Sequence, residues 1–189
     1  MMEKRPIGIF DSGIGGLWVM EEIKKILPKE NIVYFADSAN CPYGDGTKTK
    51  GWITKRSENI SNYLIEKYDV KMIVVACNTA TSSSIKGLRE KFNLPIVGMV
   101  PPLKVAAGIT KNNKVAVLAT YETLSSSTYN EVLKLVKNKT TVFEKACDGL
   151  AKVIECYNEK DIKDKLEKCL AEVIKKDMDY IFGVTLVIF

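Results

Sequence analysis

Met72-Ile73-Val74-Val75-Ala76-Cys77-Asn78-Thr79-Ala80-Thr81 decides the fold. The run 72–76 is apolar and reads as a buried strand, and it stops at a cysteine followed by small polar residues. Beyond Ser82–Ser84, Ile85, Leu88 and Phe92 recur at helical spacing, so the unit is strand, turn, helix. In an open α/β sheet, ligands bind just past the carboxyl ends of strands, which is where Cys77 falls. The helix start behind it offers unpaired N–H groups and a positive dipole end. These are expected to lower the thiol's pKa and make Cys77 a nucleophile or base. The other reading of Cys77 is a small buried apolar residue. Asn78 and Thr79 argue against it, since a purely structural position needs neither.

The same theme recurs on both sides. Ile7-Gly8-Ile9-Phe10 is a short strand ending at Asp11-Ser12-Gly13-Ile14-Gly15-Gly16, and Leu17, Met20, Ile23, Ile26 and Leu27 then follow at helical spacing. The glycine-rich turn can aim N–H groups at an anion such as a carboxylate, although it is not the dinucleotide spacing GxGxxG. Asp11, at the strand end, is read either as a functional acid or as a helix cap. A strand over 31–36 ends at Asp37-Ser38, and the turn-rich Cys41-Pro42-Tyr43-Gly44-Asp45-Gly46 can present a tyrosine hydroxyl to a ligand. A helix is expected over 55–68 and a fourth strand over 96–100, with Pro101-Pro102 marking a boundary between lobes 1–100 and 101–189. In the second lobe, strands are expected over 115–120 and 141–143, a helix capped by Ser125 or Ser126 running to Val136, and a helix over 161–176. Gly183-Val184-Thr185-Leu186 then occupies the strand-end place that Ala76-Cys77-Asn78-Thr79 holds in the first lobe. The fold class is α/β, two similar lobes with parallel-rich sheets flanked by helices and a crevice between them.

The chain has 189 residues, 46% of them hydrophobic and 27% charged, with a formal charge of +5. The lysines are interleaved with acids and form no basic stripe, so no nucleic-acid partner is expected. No apolar run approaches membrane-spanning length, so no membrane partner is expected either. The cysteines at 41, 77, 147, 156 and 169 show no CxxC spacing and read as reduced thiols of a cytoplasmic protein. There is no histidine. That excludes Ser-His and Cys-His hydrolases and removes the commonest metal ligand. The chemistry must use thiols, carboxylates, hydroxyls, lysines or backbone, and no metal or cofactor is expected.

Gly8-Ile9-Phe10-Asp11-Ser12-Gly13-Ile14-Gly15-Gly16-Leu17, Pro42-Tyr43-Gly44 and Val75-Ala76-Cys77-Asn78-Thr79-Ala80-Thr81 together resemble the glutamate racemases, cofactor-independent isomerases that make D-glutamate for bacterial peptidoglycan. Weaker matches are Ala119-Thr120 with Thr123 and Ser126, and Ala146-Cys147 running on to Glu155. The resemblance implies roles for particular residues. Cys77 would be one of two catalytic thiols, Asp11 the acid that assists it, and Glu155 the acid supporting the other side. Ser12, Tyr43, Gly44, Asn78, Thr79 and Thr185 would hold the glutamate substrate. Racemisation takes the α-proton from one face and returns one to the other, so it needs two acid/bases on opposite sides of one carbon.

The chain also departs from the family it resembles. The family's second thiol lies in a strand-end Gly-Cys-Thr-His, where this chain reads Gly183-Val184-Thr185-Leu186. Val184 cannot carry a proton, so interconversion of L- and D-glutamate is expected to fail. The family continues for a further segment that closes the first lobe. Without it, self-association into a homo-oligomer, or poor solubility, is expected unless a partner supplies that segment. Two other functions fit the same residues: a catalytically silent module binding glutamate or a partner, and a one-thiol enzyme of decarboxylase type.

Overall fold

The computed structural model describes residues 4–183 apart from 101, 157, 177 and 179. The described chain forms two compact units. Among the described residues, the first comprises 4–43 and 47–99, and the second comprises 44–46 and those from 100 to 183.

In the first unit β1 (Ile7–Asp11), β2 (Ile32–Ala36), β3 (Met72–Val75) and β4 (Ile96–Gly98) form one sheet in the order β2-β1-β3-β4. Every pairing is parallel, with Phe10 opposite Phe35 on one side and Val75 on the other. The strands are short and apolar because both faces of the sheet are covered. Ile7, Ile9, Val74 and Ala76 point to the face packed by Val19, Met20 and Ile23 of α1 (Leu17–Ile26). Phe10, Ile73 and Val75 point to the other face. There they pack with Ile53, Ile60 and Leu64 of α2 (Lys50–Tyr68) and with Ala80 and Leu88 of α3 (Asn78–Lys91). The order reverses direction between β1 and β3, and such a switch point leaves a crevice outside the carboxyl ends of the two strands.

The second unit repeats the plan with β5 (Lys114–Ala119) central between β6 (Thr141–Ala146) and β7 (Tyr180–Gly183), again all parallel. Val115, Val117 and Ala119 pack against α4 (Leu103–Ile109) and α6 (Ser127–Val136). Ala116 and Leu118 pack against α7 (Leu150–Glu155) and α8 (Glu159–Ile174), where Cys147, Cys169 and Val173 complete a second core. The short helix α5 (Tyr121–Leu124) follows β5 directly.

Several bounds differ from the sequence reading, each for a local reason. The helix α2 begins five residues earlier than its apolar spacing suggests, because Thr49 caps it by accepting the Trp52 N–H at 3.2 Å. β4 is shorter than expected, since the Met99 N–H turns to the Thr81 hydroxyl at 3.1 Å rather than to a strand. β6 runs three residues further, to Ala146. Pro102 begins a helix as well as ending an extended stretch: its carbonyl accepts the Ala106 N–H at 2.9 Å, a place where proline costs nothing. The expected Ser126 cap is present, its hydroxyl accepting the Tyr129 N–H at 3.2 Å. Among the described residues, no helix is long and apolar enough to cross a membrane.

Candidate active site

The strand β3 delivers Cys77 to the carboxyl end of the sheet, and α3 starts on the next residue. The sulfur itself caps that helix, accepting the Ala80 N–H at 3.4 Å. On the neighbouring strand, Asp11 ends β1, and its Oδ2 accepts the Gly13 N–H at 3.0 Å and the Gly16 N–H at 3.2 Å. Asp11 is not the cap of α1, which is Gly16 with no side-chain cap bond, but it organises the turn that leads into that helix and carries its charge beside the thiol. The Cys77 thiol donates to the Ser12 Oγ at 3.6 Å, closing a Cys77–Ser12–Asp11 group at the β1/β3 switch point. The turn admits only glycine at position 16, where a Cβ would fall 2.7 Å from the Asp11 Cβ and 2.9 Å from the Ala76 Cβ. The Tyr34 hydroxyl donates to the Gly13 carbonyl at 2.8 Å and holds the turn from the side.

The expectation of a depressed thiol pKa is overturned. Cys77 is 7% exposed, and burial, with the Asp11 charge next, pushes its pKa from 9.0 up to about 12. The Ala80 N–H and the Ser12 contacts pull the other way and lose. A helix start contributes only local partial charges, whereas taking a thiolate out of water costs more. Burial thus holds Cys77 as a neutral thiol at pH 7.

Tyr43 is buried, 1% exposed, in the same core cluster as Cys77. Its hydroxyl donates to the Asp37 Oδ2 at 2.6 Å rather than facing open space. Burial first, and then the Asp37 hydrogen bond and charge, drive its pKa well above the ordinary phenol value, so it stays neutral. Asn78 opens α3 and is half-buried. Thr79 follows it and is buried, with its carbonyl accepting the Ser82 hydroxyl at 3.0 Å. Gly44 belongs to the second unit, where a Cβ would fall 2.8 Å from Thr120. Glu155 ends α7 in that unit and is half-buried. Thr185 and Val184 lie outside the described residues.

Two residues that the sequence singled out weakly or not at all stand beside this group. Asp37, 3% exposed, receives the Arg56 guanidinium through Nε at 2.8 Å and Nη2 at 2.6 Å. Burial raises the Asp37 pKa, but the hydrogen bonds from Arg56, Tyr43 and Asn40 outweigh it and leave it below the usual 3.8. The strand-end position of Asp37 was a legible signal. Arg56 carried none, because nothing in the helical spacing of α2 says which polar residue turns inward.

Comparison with known proteins bears on the family and the fold. Residues 8–182 match the Asp/Glu/Hydantoin racemase family. The glutamate racemase of Clostridium novyi is 39% identical over 178 residues, which cover 93% of this chain and 68% of that protein. The crystal structure of a glutamate racemase isoform from Bacillus anthracis superposes with a TM-score of 0.81 at 31% identity, covering 96% of this chain and 69% of that one. The Escherichia coli glutamate racemase, solved with L-glutamate and the activator UDP-MurNAc-Ala, gives 0.79 at 28% identity, covering 96% of this chain and 80% of that one. The chain belongs to the Asp/Glu/Hydantoin racemase family of isomerases, and the relatives it matches there are glutamate racemases.

Proposed function

We propose that this chain binds glutamate at the β1/β3 switch point and exchanges its α-proton on one face only, through Cys77, without interconverting the enantiomers. The observation that carries this reading is the Cys77–Ser12–Asp11 group at two adjacent strand ends, set against Val184 in the place of the family's second thiol. In the proposed step the Cys77 thiolate takes the α-proton, forming S–H as the C–H bond breaks. The electron pair left on the α-carbon delocalises into the adjacent carboxylate. The same sulfur returns a proton, exchanged with solvent, to the same face.

The high thiol pKa sets a condition on this step. At a pKa of about 12, only about one molecule in 10⁵ carries the thiolate at pH 7. A bound α-ammonium close to the sulfur favours the charged form and relieves part of that deficit. The resemblance assigns Ser12, Tyr43, Asn78 and Thr79 of the first unit, with Gly44 and Thr185, to hold the substrate, and Glu155 to support the other side as an acid. A second reading, a catalytically silent glutamate-binding module of the same fold, is favoured by the neutral Cys77. It predicts binding without exchange. A one-thiol decarboxylase would instead turn over a doubly carboxylated substrate. The D-glutamate supply for peptidoglycan is the family role to which an active member would contribute.

Titration calorimetry tests the binding half. Glutamate is expected to bind, and Asn78→Ala to weaken it by about 1–3 kcal/mol, the loss of one buried hydrogen bond. A folded chain that releases no heat with either enantiomer would overturn the reading.

A further inference from the structure

A buried carboxylate is costly unless it is paired and hydrogen-bonded on most of its lone pairs. Asp37 meets that requirement fully. Oδ1 accepts Arg56 Nη2 at 2.6 Å and Asn40 Nδ2 at 3.0 Å, while Oδ2 accepts Arg56 Nε at 2.8 Å and the Tyr43 hydroxyl at 2.6 Å. Arg56 supplies the two-pronged partner, a geometry that lysine's point charge cannot reproduce. The backbone connects this pair to the thiol group, since the Asp37 N–H donates to the Asp11 carbonyl at 3.0 Å. Two carboxylates thus end neighbouring strands, Asp11 on β1 and Asp37 just past β2. Arg56 neutralises the second, which removes a charge that would repel an anionic amino acid. Tyr43 is tied to the same carboxylate, and its ring stands edge-on to Trp52 with centroids 5.6 Å apart.

We propose that Arg56, on α2, is a positioning residue of the site. Through Asp37 it holds Tyr43, and with it the segment Cys41–Tyr43, in the place from which the substrate is gripped. Arg56 does not itself touch the substrate. The Cys77 sulfur has partners of its own in the Ser12 Oγ and the Ala80 N–H, so loss of Arg56 loosens the Tyr43 side of the site and leaves those contacts in place.

The affinity arm of the test rests on the glutamate reading above, whereas the exchange arm does not. Arg56→Lys and Tyr43→Phe are compared with the unaltered chain, alone and combined. Native-state hydrogen exchange is expected to speed up at the backbone amides of Cys41 and Tyr43 in each variant, with α3 unchanged. Glutamate affinity is expected to fall roughly tenfold or more in Arg56→Lys, the scale of one lost charge-assisted hydrogen bond. The double variant should be no weaker than the worse single one, because both cut the same chain of contacts. The pH profile of Cys77 alkylation should not move. Unchanged exchange at Cys41 and Tyr43 overturns the proposal. So does a rise spread evenly through β3 and α3 with a shifted Cys77 profile, which makes Arg56 a general stability residue. If the unaltered chain binds no glutamate while Arg56→Lys still loosens Cys41–Tyr43, the glutamate reading fails and the positioning role stands.

Discussion

Cys77 shows the clearest disagreement between local and global electrostatics. Its strand-end place before a helix was legible from the pattern of residues 72–88, since a buried strand followed by helical spacing has few alternatives. Its pKa was not, because desolvation depends on every neighbour that closes over the sulfur. Burial and Asp11 raise it from 9.0 to about 12. The folded state therefore keeps its proton over a window in which the unfolded chain has lost it. This contribution to stability is fully present below pH 9 and is lost as pH rises toward 12. Alkylation of Cys77, mapped by mass spectrometry, should accelerate about tenfold per pH unit up to pH 10 with no plateau, following the thiolate fraction. Asp11→Asn removes a raising charge and should speed Cys77 labelling at fixed pH. A plateau near pH 8.5 in the unaltered chain would contradict the buried, neutral thiol. Exposed Cys156 should react before Cys77 does at neutral pH, by access alone.

Between elements, the β1–α1 turn shows how closely packing and site are joined. Periodicity was enough to find β1, α1 and β3, because their apolar residues alternate or recur without interruption. The early start of α2 and the short helices α4, α5 and α7 were missed. They depend on single caps or cover too few turns for a stripe to form. The sharp demand at Gly16 was equally invisible, being set by side chains of β1, β2 and β3 that only the folded sheet brings together. Gly16→Ala would press a methyl against Asp11 and Ala76. The substitution should destabilise the chain by about 1–3 kcal/mol, measured by chemical denaturation. The Asp11 carboxylate should shift with it, so Cys77 labelling should change in the same variant. Unaltered stability would show that the turn yields more easily than its spacing suggests.

At the scale of the molecule, two parallel sheets of the same plan were readable from the repeated strand-end motifs, and the family follows from their order along the chain. Each sheet reverses strand order at its central strand, at β1/β3 in the first unit and at β5/β7 in the second. A two-base racemase needs proton carriers on opposite faces of one carbon. On the reading proposed above Cys77 is one of them, and the sequence has Val184 where the resemblance expects the other. That reading makes the reaction one-sided, since loss of a positioned acid or base costs about 10²–10⁴-fold even where a second route exists.

The most direct measurement is incubation of each glutamate enantiomer with the unaltered chain in heavy water, with deuterium read at the α-carbon and the enantiomers separated by chiral chromatography. The account predicts deuterium entering one enantiomer alone, with its configuration retained and no opposite enantiomer formed. Production of the opposite enantiomer at an enzymatic rate, carrying α-deuterium, would show that another group returns the proton from the far side, and would contradict the account.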